Sequence, residues 1–406
     1  MTAKTLIYLD HNATTPVAQE VIDALVPCLR ENYGNPSSTH ELGRRAKAAL
    51  DGARAQVGSL LHAPPSSILF LSGGTESINY VLKGMLASKP HQRHIVTSVV
   101  EHVAVLATCR FLEDTHDFDV TYVPVDAQGL VSVDAVAAAV TSSTCLVTIM
   151  HANNEVGAIQ PLAAIAAAVR ARHAALVSAD QALEYDPVLI HTDASQSVGK
   201  VPVHVDTLGV DFLTVAGHKL YAPKGVGALY MRPGTRALQK FMHGASHEHG
   251  RRAGTENIPY AVALGAAAAL VERALASGLE KTLRTLRGRL LAGLHAKLPH
   301  VESRVNGPAS PEASLPNTLS LSFRHVSANA LLARIEDDVA ASAGSACHSH
   351  ATTASYVLQA MAIPIEFALG TLRLSVGKDT TKDQVDCAID VIAAAVDAMQ
   401  AKKQKT

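Results

Sequence analysis

The sequence predicts an α/β protein, with a large, mainly parallel sheet covered by helices on both faces and a smaller α+β domain beside it. Three observations predict it. Short β-branched runs alternate with amphipathic stretches through the middle of the chain, as strand–helix–strand units require. The flanking regions instead read as long Ala-rich helical patterns. A chain of 406 residues with 48% hydrophobic and 17% charged residues can build a sizeable core.

The elements follow in order. Residues from about 17 to 62 read as helical, with Ser38-Thr39-His40-Glu41 matching a capping box before a long amphipathic run. Strands are expected at 68–71, 94–97, 120–123, 145–150, 188–191, 211–215 and 226–231. Helices are expected at 76–86, 103–113, 133–140 and 162–171, with an exposed loop at 178–187. Two long helices follow Glu256 and run to about Ala296; then come a loop from Asn306 to Pro311 and a strand at 318–323. The expected division is a large domain over 17–256 and a smaller one over 257–406, completed by residues 1–16.

Composition excludes several classes. Lys+Arg 35 against Asp+Glu 36 leaves a net charge of −1, a balance from which no electrostatic footprint for nucleic acid or anionic membrane follows. The longest apolar run, Ala261 to Val271, is too short to span a bilayer. Five scattered cysteines, Cys28, Cys109, Cys145, Cys347 and Cys387, contain no CxxC pair, which argues against a disulfide framework or a structural zinc site. With neither a signal peptide nor a transit peptide in view, the expectation is a cytoplasmic protein.

The chemistry gathers at strand ends. Ala216-Gly217-His218-Lys219 closes one strand, Asp193-Ala194-Ser195-Gln196 another, and Ser72-Gly73-Gly74-Thr75-Glu76 a third. Alone, each has a bland reading: a surface lysine, or a glycine turn before a helix. Together they form a cradle. Gly73 and Gly74 let backbone N–H groups approach a phosphate at a helix N-terminus. Asp193 can pair with a protonated ring nitrogen, and Lys219 can form a Schiff base with an aldehyde. Pyridoxal 5′-phosphate requires that set.

These residues sit in a longer series of motifs: 8–16 (YLDHNATTP), 34–38 (GNPSS), 72–77 (SGGTES), Glu101-His102, 153–157 (NNEVG), 191–194 (HTDA), 217–219 (GHK), 252–257 (RAGTEN) and 344–347 (GSAC). Over nearly its whole length the chain resembles the cysteine desulfurase family, pyridoxal-phosphate enzymes of fold type I. The resemblance implies that Lys219 carries the cofactor and moves protons, while Asp193 keeps the pyridine nitrogen protonated. It implies that Gln196 bonds the phenolic oxygen, that His102 stacks on the ring, and that Gly74, Thr75 and His218 bind phosphate. Thr255 would reach the phosphate of a neighbouring subunit, so a homodimer is implied. Asn154 and Arg373 would orient the substrate, Arg373 as a fork on its α-carboxylate. Taken singly, His102 also reads as a helix N-terminal histidine, Asn154 as a turn residue, and Arg373 as an edge-strand arginine paired to a carboxylate.

Cys347 decides the reaction. Cys28, Cys109, Cys145 and Cys387 read as small buried hydrophobes, whereas Cys347 lies in a small, polar stretch with His348 and His350. The leading reading is a desulfurase that converts L-cysteine to L-alanine and leaves a persulfide on Cys347 for an acceptor protein. The alternative is a selenocysteine lyase acting on L-selenocysteine. A scaffold without activity conflicts with intact Lys219, Asp193, Cys347 and Arg373, and an aminotransferase leaves Cys347 without a role. Ala216 departs from the Ser or Thr that many family members carry there as a phosphate ligand. Residues 243–248 replace a glycine-rich stretch with bulkier ones. The phrases 211–219 and 347–349 lean toward selenocysteine lyases, and Val103 leans away.

Overall fold

The structure is a computed structural model that describes residues 6–180, 183–343 and 354–403. Strand β1 (Ile7–Tyr8) precedes helices α1 (Gln19–Arg30) and α2 (Glu41–Leu61). The alternating region supplies β2 (Ile68–Leu71), α3 (Gly74–Gly84), β3 (His94–Ser98), α4 (Val103–His116), β4 (Asp119–Val123) and α5 (Val133–Ala139). It continues with β5 (Thr144–Thr148), α6 (Leu162–Ala179), β6 (Leu189–Asp193), α7 (Val205–Leu208), β7 (Phe212–Ala216) and β8 (Gly227–Met231). Next come α8 (Ile258–Ala276), α9 (Leu279–Lys297), β9 (Ser303–Asn306), β10 (Thr318–Phe323), α10 (Ala328–Ile335) and β11 (Val339–Ala340). The chain closes with α11 (Tyr356–Ala360), α12 (Ile365–Ala368), β12 (Thr371–Ser375) and α13 (Lys382–Lys403).

Strands β2 to β8 form one seven-stranded sheet in the order β2-β8-β7-β6-β5-β3-β4. Their period-two pattern splits cleanly between two cores. Ile68, Phe70, Val96, Val147, Ile190, Leu213 and Val215 point to the side covered by α2, α5, α6 and α8. Leu69, Leu71, Ile95, Leu146, Leu189, Phe212 and Leu229 point to the side covered by α3 and α4. Covering both faces explains why these strands read as largely apolar runs, except the edge strand β4, which is exposed at Asp119 and Thr121.

A second core lies under the three-stranded antiparallel sheet β12-β10-β9, and α9, α10 and α13 pack onto it. Ile7 and Leu9 enter this core, and β1 pairs in parallel with β11. The change from one core to the other falls near Ser277–Gly278 rather than at 257. Helix α8 is Ala-rich and lies close against α1 and α2, so its first four turns join the large sheet's core.

Four local expectations change. Helix α2 starts after His40, whose Nδ1 accepts the Gly43 N–H at 3.3 Å, so Ser38 is not its cap. Glu41 turns outward to Arg44 instead of closing a capping box. Helix α6 continues to Ala179, because nothing in its Ala-rich second half stops it. Helix α8 runs for 19 residues and by length and composition could cross a membrane, yet half of it is buried against the protein's own core. Cys387 is exposed, because α13 turns Val385, Ala388 and Ile389 inward in its place.

One buried ion pair ties the bulky 243–248 stretch to the sheet. Glu248 accepts from Arg54 Nη1 and Nη2 at 2.8 and 2.7 Å and from the Phe70 N–H at 3.1 Å. The two side chains are 7% and 2% exposed. Removing one partner of such a pair leaves the other charge buried and uncompensated. Glu248→Ala is therefore expected to lower stability by about 3–5 kcal/mol, read from urea unfolding midpoints; a loss below about 1 kcal/mol contradicts this role.

Candidate active site

Strand β8 runs antiparallel to both β2 and β7, so the two reversals cancel and β2 points the same way as β3 to β7. The carboxyl ends of these strands therefore share one edge, where ligands of such sheets collect. Gly73, the N-cap of α3, has φ +155 and ψ −175, a conformation open to glycine. A Cβ on Gly74 would stand 3.3 Å from Ala216 Cβ and 3.4 Å from Ser195 Oγ, a tight fit that leaves little room for a side chain here. Thr75 is exposed in the first turn of α3. Behind it Glu76 accepts from the Ser72 N–H at 2.6 Å and from Arg252 at 3.0 Å. Burial raises the Glu76 pKa, but these bonds outweigh it and hold the carboxyl below its usual range.

Lys219 sits in the single 3-10 turn that follows β7. Its Nζ donates to the main-chain carbonyls of Asn12 and, at 2.7 Å, Ala13. The adjoining His218 carbonyl accepts from the Thr15 N–H at 2.8 Å and the Thr15 hydroxyl at 3.0 Å. His218 Nδ1 lies 3.2 Å from Thr14 Oγ1. Burial, reinforced by the Lys219 charge, pushes His218 down to about 4, so its ring is neutral at pH 7.

Asp193 ends β6, buried, with Oδ1 accepting the Ser195 N–H at 2.9 Å. Gln196 is buried one turn later and donates from Nε2 to the Asn12 carbonyl at 3.0 Å. His102 caps α4, its Nδ1 accepting the Ala104 N–H at 3.1 Å, so the helix N-terminal reading holds for its Nδ1. Next to it Glu101 is fully buried. Burial drives its pKa up to about 8, although the Ser98 hydroxyl at 2.7 Å and the Met150 N–H at 3.0 Å favour the charged form.

Arg373 lies on β12 at a sheet edge and is 3% exposed. It donates to Asp10 Oδ1 at 2.9 Å and to the Asn154 carbonyl at 3.2 Å, so the edge-strand pairing is present. Its Nε and Asn154 Oδ1 are buried without a hydrogen-bond partner. Asn154 occupies a turn, but Asn153 caps that turn through the N–H groups of Glu155 and Val156. The Asn154 side chain is left for another partner.

Cys347, His348 and His350 lie outside the described residues. The residues flanking that stretch are held at the site. Ser342 exchanges main-chain hydrogen bonds with Arg373 at 2.7 and 3.3 Å. On the far side Ser355 donates to Glu155, and the Tyr356 hydroxyl donates to the Glu101 carbonyl at 2.6 Å. Thr255 is exposed and lines a groove with Ser72, Gly225 and Tyr260. Four residues were missed as site residues: Asp10, Asn12, Ser195 and Lys200. Asp10 and Asn12 stood in the 8–16 motif, and Ser195 and Lys200 beside Gln196, but only the fold reveals what they touch.

The residues fit pyridoxal phosphate. A glycine helix start suits the phosphate, the buried Asp193 carboxylate a protonated ring nitrogen, and the Gln196 amide a phenolic oxygen. The unpartnered Asn154 Oδ1 and Arg373 Nε are polar atoms that a bound ligand can satisfy.

Comparison with known proteins agrees. The aminotransferase class-V profile matches residues 7–387. The chain belongs to the aminotransferase class-V family. Among the relatives of this class-V protein, a cysteine desulfurase IscS of Dictyoglomus turgidum (strain DSM 6724 / Z-1310) is 40% identical over 396 residues, spanning 97% of this chain and 95% of that one. A cysteine desulfurase of Trichormus azollae is 42% identical over 397 residues, spanning 98% and 94%. A solved NifS-like protein superposes with TM-score 0.86 at 34% identity, covering 97% of this chain and 100% of the other. A structure of SspA in complex with cysteine gives TM-score 0.74 at 32% identity, covering 92% and 99%.

Beneath the site, His191 is buried between the Thr148 and Thr214 hydroxyls at 2.8 and 2.9 Å. Burial pushes it to about 4 against an ordinary 6.5, although Asp193 acts in the opposite direction. The unfolded chain therefore takes up this proton first, and stability is lost as pH falls from 6.5 toward 4. Nitrogen NMR of the His191 ring should show the neutral form down to about pH 5, while urea midpoints fall over the same window. A ring that titrates near 6.5 contradicts the burial argument.

Proposed function

We propose that this class-V protein is a pyridoxal-phosphate-dependent cysteine desulfurase that converts L-cysteine to L-alanine and passes the sulfur to an acceptor protein through Cys347. The reading rests above all on the anchoring of the Cys347 segment: one flank is bonded to Arg373, the other to the residues next to His102 and Asn154. The curated relatives bearing that activity add to it.

When bound, pyridoxal phosphate supplies an aldehyde and an electron-withdrawing ring. Asp193, buried at the end of β6, would pair with the ring nitrogen, and Gln196 would donate to the phenolic oxygen. His102 would cover the ring face, while Gly74, Thr75 and the neutral His218 would hold the phosphate. Arg373 takes the substrate carboxylate, and its existing bond to Asp10 fixes the guanidinium plane beforehand. Asn154 completes the substrate's polar contacts. Lys219, with its Nζ held at the Asn12 and Ala13 carbonyls, takes the proton from the substrate Cα and returns it. The Cys347 thiolate attacks the substrate sulfur. An S–S bond forms as the carbon–sulfur bond breaks, the electron pair stays with carbon, and carbon then takes up a proton. Cys347 is left as a persulfide and alanine departs.

Cys347→Ala is expected to lose cysteine turnover by several orders of magnitude and to form no persulfide, while cofactor still binds. Alanine production from L-cysteine and L-selenocysteine under anaerobic conditions measures it. Undiminished cysteine turnover by the variant defeats the mechanism, and a wild type that strongly prefers selenocysteine makes the protein a selenocysteine lyase.

The assembly proposed is a homodimer in the cytoplasm in which the exposed Thr255 of each subunit completes the phosphate site of the other. Lys219→Ala and Thr255→Ala are each expected to be impaired alone. Mixed dimers of the two place both lesions in one site and regain the other, so activity rises on mixing. A fully active monomer rules this arrangement out.

A further inference from the structure

Besides Arg54, which Glu248 neutralises, the mechanism leaves a second buried cation unused. Lys200 is 5% exposed, and among the described residues its ammonium makes hydrogen bonds to Gln196 alone: the main-chain carbonyl at 2.9 Å and Oε1 at 3.4 Å. No described carboxylate pairs with it. Burial and the nearby Lys219 charge together push its pKa down to about 7. A methionine would fill such a position without that penalty, so packing does not account for a lysine here.

The local backbone puts Lys200 in reach of Gln196. Residues 194–201 form a tight turn, in which the Ser197 and Val198 N–H groups bond the Ala194 carbonyl and the Lys200 N–H bonds the Ser197 carbonyl. Gly199 has φ +79, and a Cβ there would stand 3.2 Å from Val271 and 3.3 Å from Leu220. The turn therefore has no slack, and Lys200 returns over Gln196 four residues earlier.

We propose that Lys200 is a positioning residue that fixes which way the Gln196 amide faces. In the orientation seen, Nε2 meets the Asn12 carbonyl at 3.0 Å and Oε1 meets the Lys200 ammonium at 3.4 Å. A flipped amide would set oxygen against the Asn12 carbonyl and an NH2 group against the ammonium, which is repulsive on both sides. Lys200 and Asn12 thus select one orientation from opposite ends. The Gln196 NH2 stays on the side of Lys219, where it serves as a donor to an acceptor on the cofactor. The inference rests on the reading of Gln196 as the donor to the phenolic oxygen.

The test is a double-mutant cycle in the full-length protein, stripped of cofactor and titrated with pyridoxal 5′-phosphate. The readouts are the apparent Kd and the position of the visible absorption band. Lys200→Met is expected to weaken binding about 3- to 10-fold and to displace the band in the wild-type background. It should add less than about 2-fold in a Gln196→Ala background, because the group it orients is gone. Equal effects in both backgrounds overturn the proposal, as does a Lys200→Met protein with a lowered melting temperature but an unchanged band and Kd. Should Gln196→Ala itself leave band and Kd unchanged, the underlying reading of Gln196 has failed instead. If Lys200→Met does not fold by circular dichroism, Lys200→Gln is put through the same cycle with the same criteria.

Discussion

Residues 9–15 run from the three-stranded sheet to the end of β7, and Asn12 is the residue where both halves of the site meet. Lys219 Nζ and Gln196 Nε2 donate to its carbonyl oxygen. The Asn12 side chain reaches the other way, donating to Thr318 Oγ1 at 2.8 Å and to the Asn154 carbonyl at 3.2 Å, while its Oδ1 accepts from Asn317 at 3.0 Å. Its N–H bonds Ser375 Oγ at 2.9 Å. Each of these groups is polar and mostly buried, so a shift of the segment would leave several unpaired at once. Lys219 and Arg373 come from different sheets and are registered to each other through this short stretch of chain.

That registration depends on two cores that need not otherwise agree. The large sheet fixes Asp193, Gln196 and Lys219 through strands β6 and β7, with apolar cores on both faces. The small sheet fixes Arg373 through β12, whose neighbour β10 carries Thr318. Leu9 belongs to the small sheet's core and Ala18 to the large one's, so the segment between them is pinned at both ends. In the proposed mechanism a substrate whose carboxylate is held by Arg373 and whose Cα faces Lys219 would sample the distance between the cores. The polar bridge keeps that distance constant.

The large sheet was legible because a strand covered on both faces is buried at every position and therefore mostly apolar, and that leaves a run such as Phe212–Ala216, polar only at Thr214, visible without any partner in view. Its seven strands were placed within a residue or two. The cradle was legible for a related reason: Gly73-Gly74, Asp193 and Lys219 each close a strand, and strand ends of such a sheet converge. What the sequence concealed were contacts made between distant stretches. Asp10 and Arg373 are far apart in the chain, and nothing local in either marks the pair. Ser38 looked like a helix cap because capping rules are local, whereas the start of α2 was settled by His40 reaching Gly43. Strands β1 and β11, of two residues each, carry too little pattern to be seen at all.

The two halves of the chemistry make opposite demands on the chain, and the fold separates them. Proton movement at Cα needs groups held within tenths of an ångström, which strand ends and the buried Asn12 bridge provide. Sulfur transfer needs one thiol that meets the substrate and afterwards an outside acceptor, and no fully packed position serves both. In the proposed mechanism Cys347 serves both, and the described residues on either side of its stretch are anchored. Ser342 is locked to the Arg373 backbone and Ser355 to Glu155, so the stretch between begins and ends at the substrate's polar contacts. The arginine proposed to hold the carboxylate thus also ties down the chain that leads to the proposed nucleophile. On the proposed mechanism, a change that moves Arg373 would alter substrate orientation and the anchoring of Ser342 together.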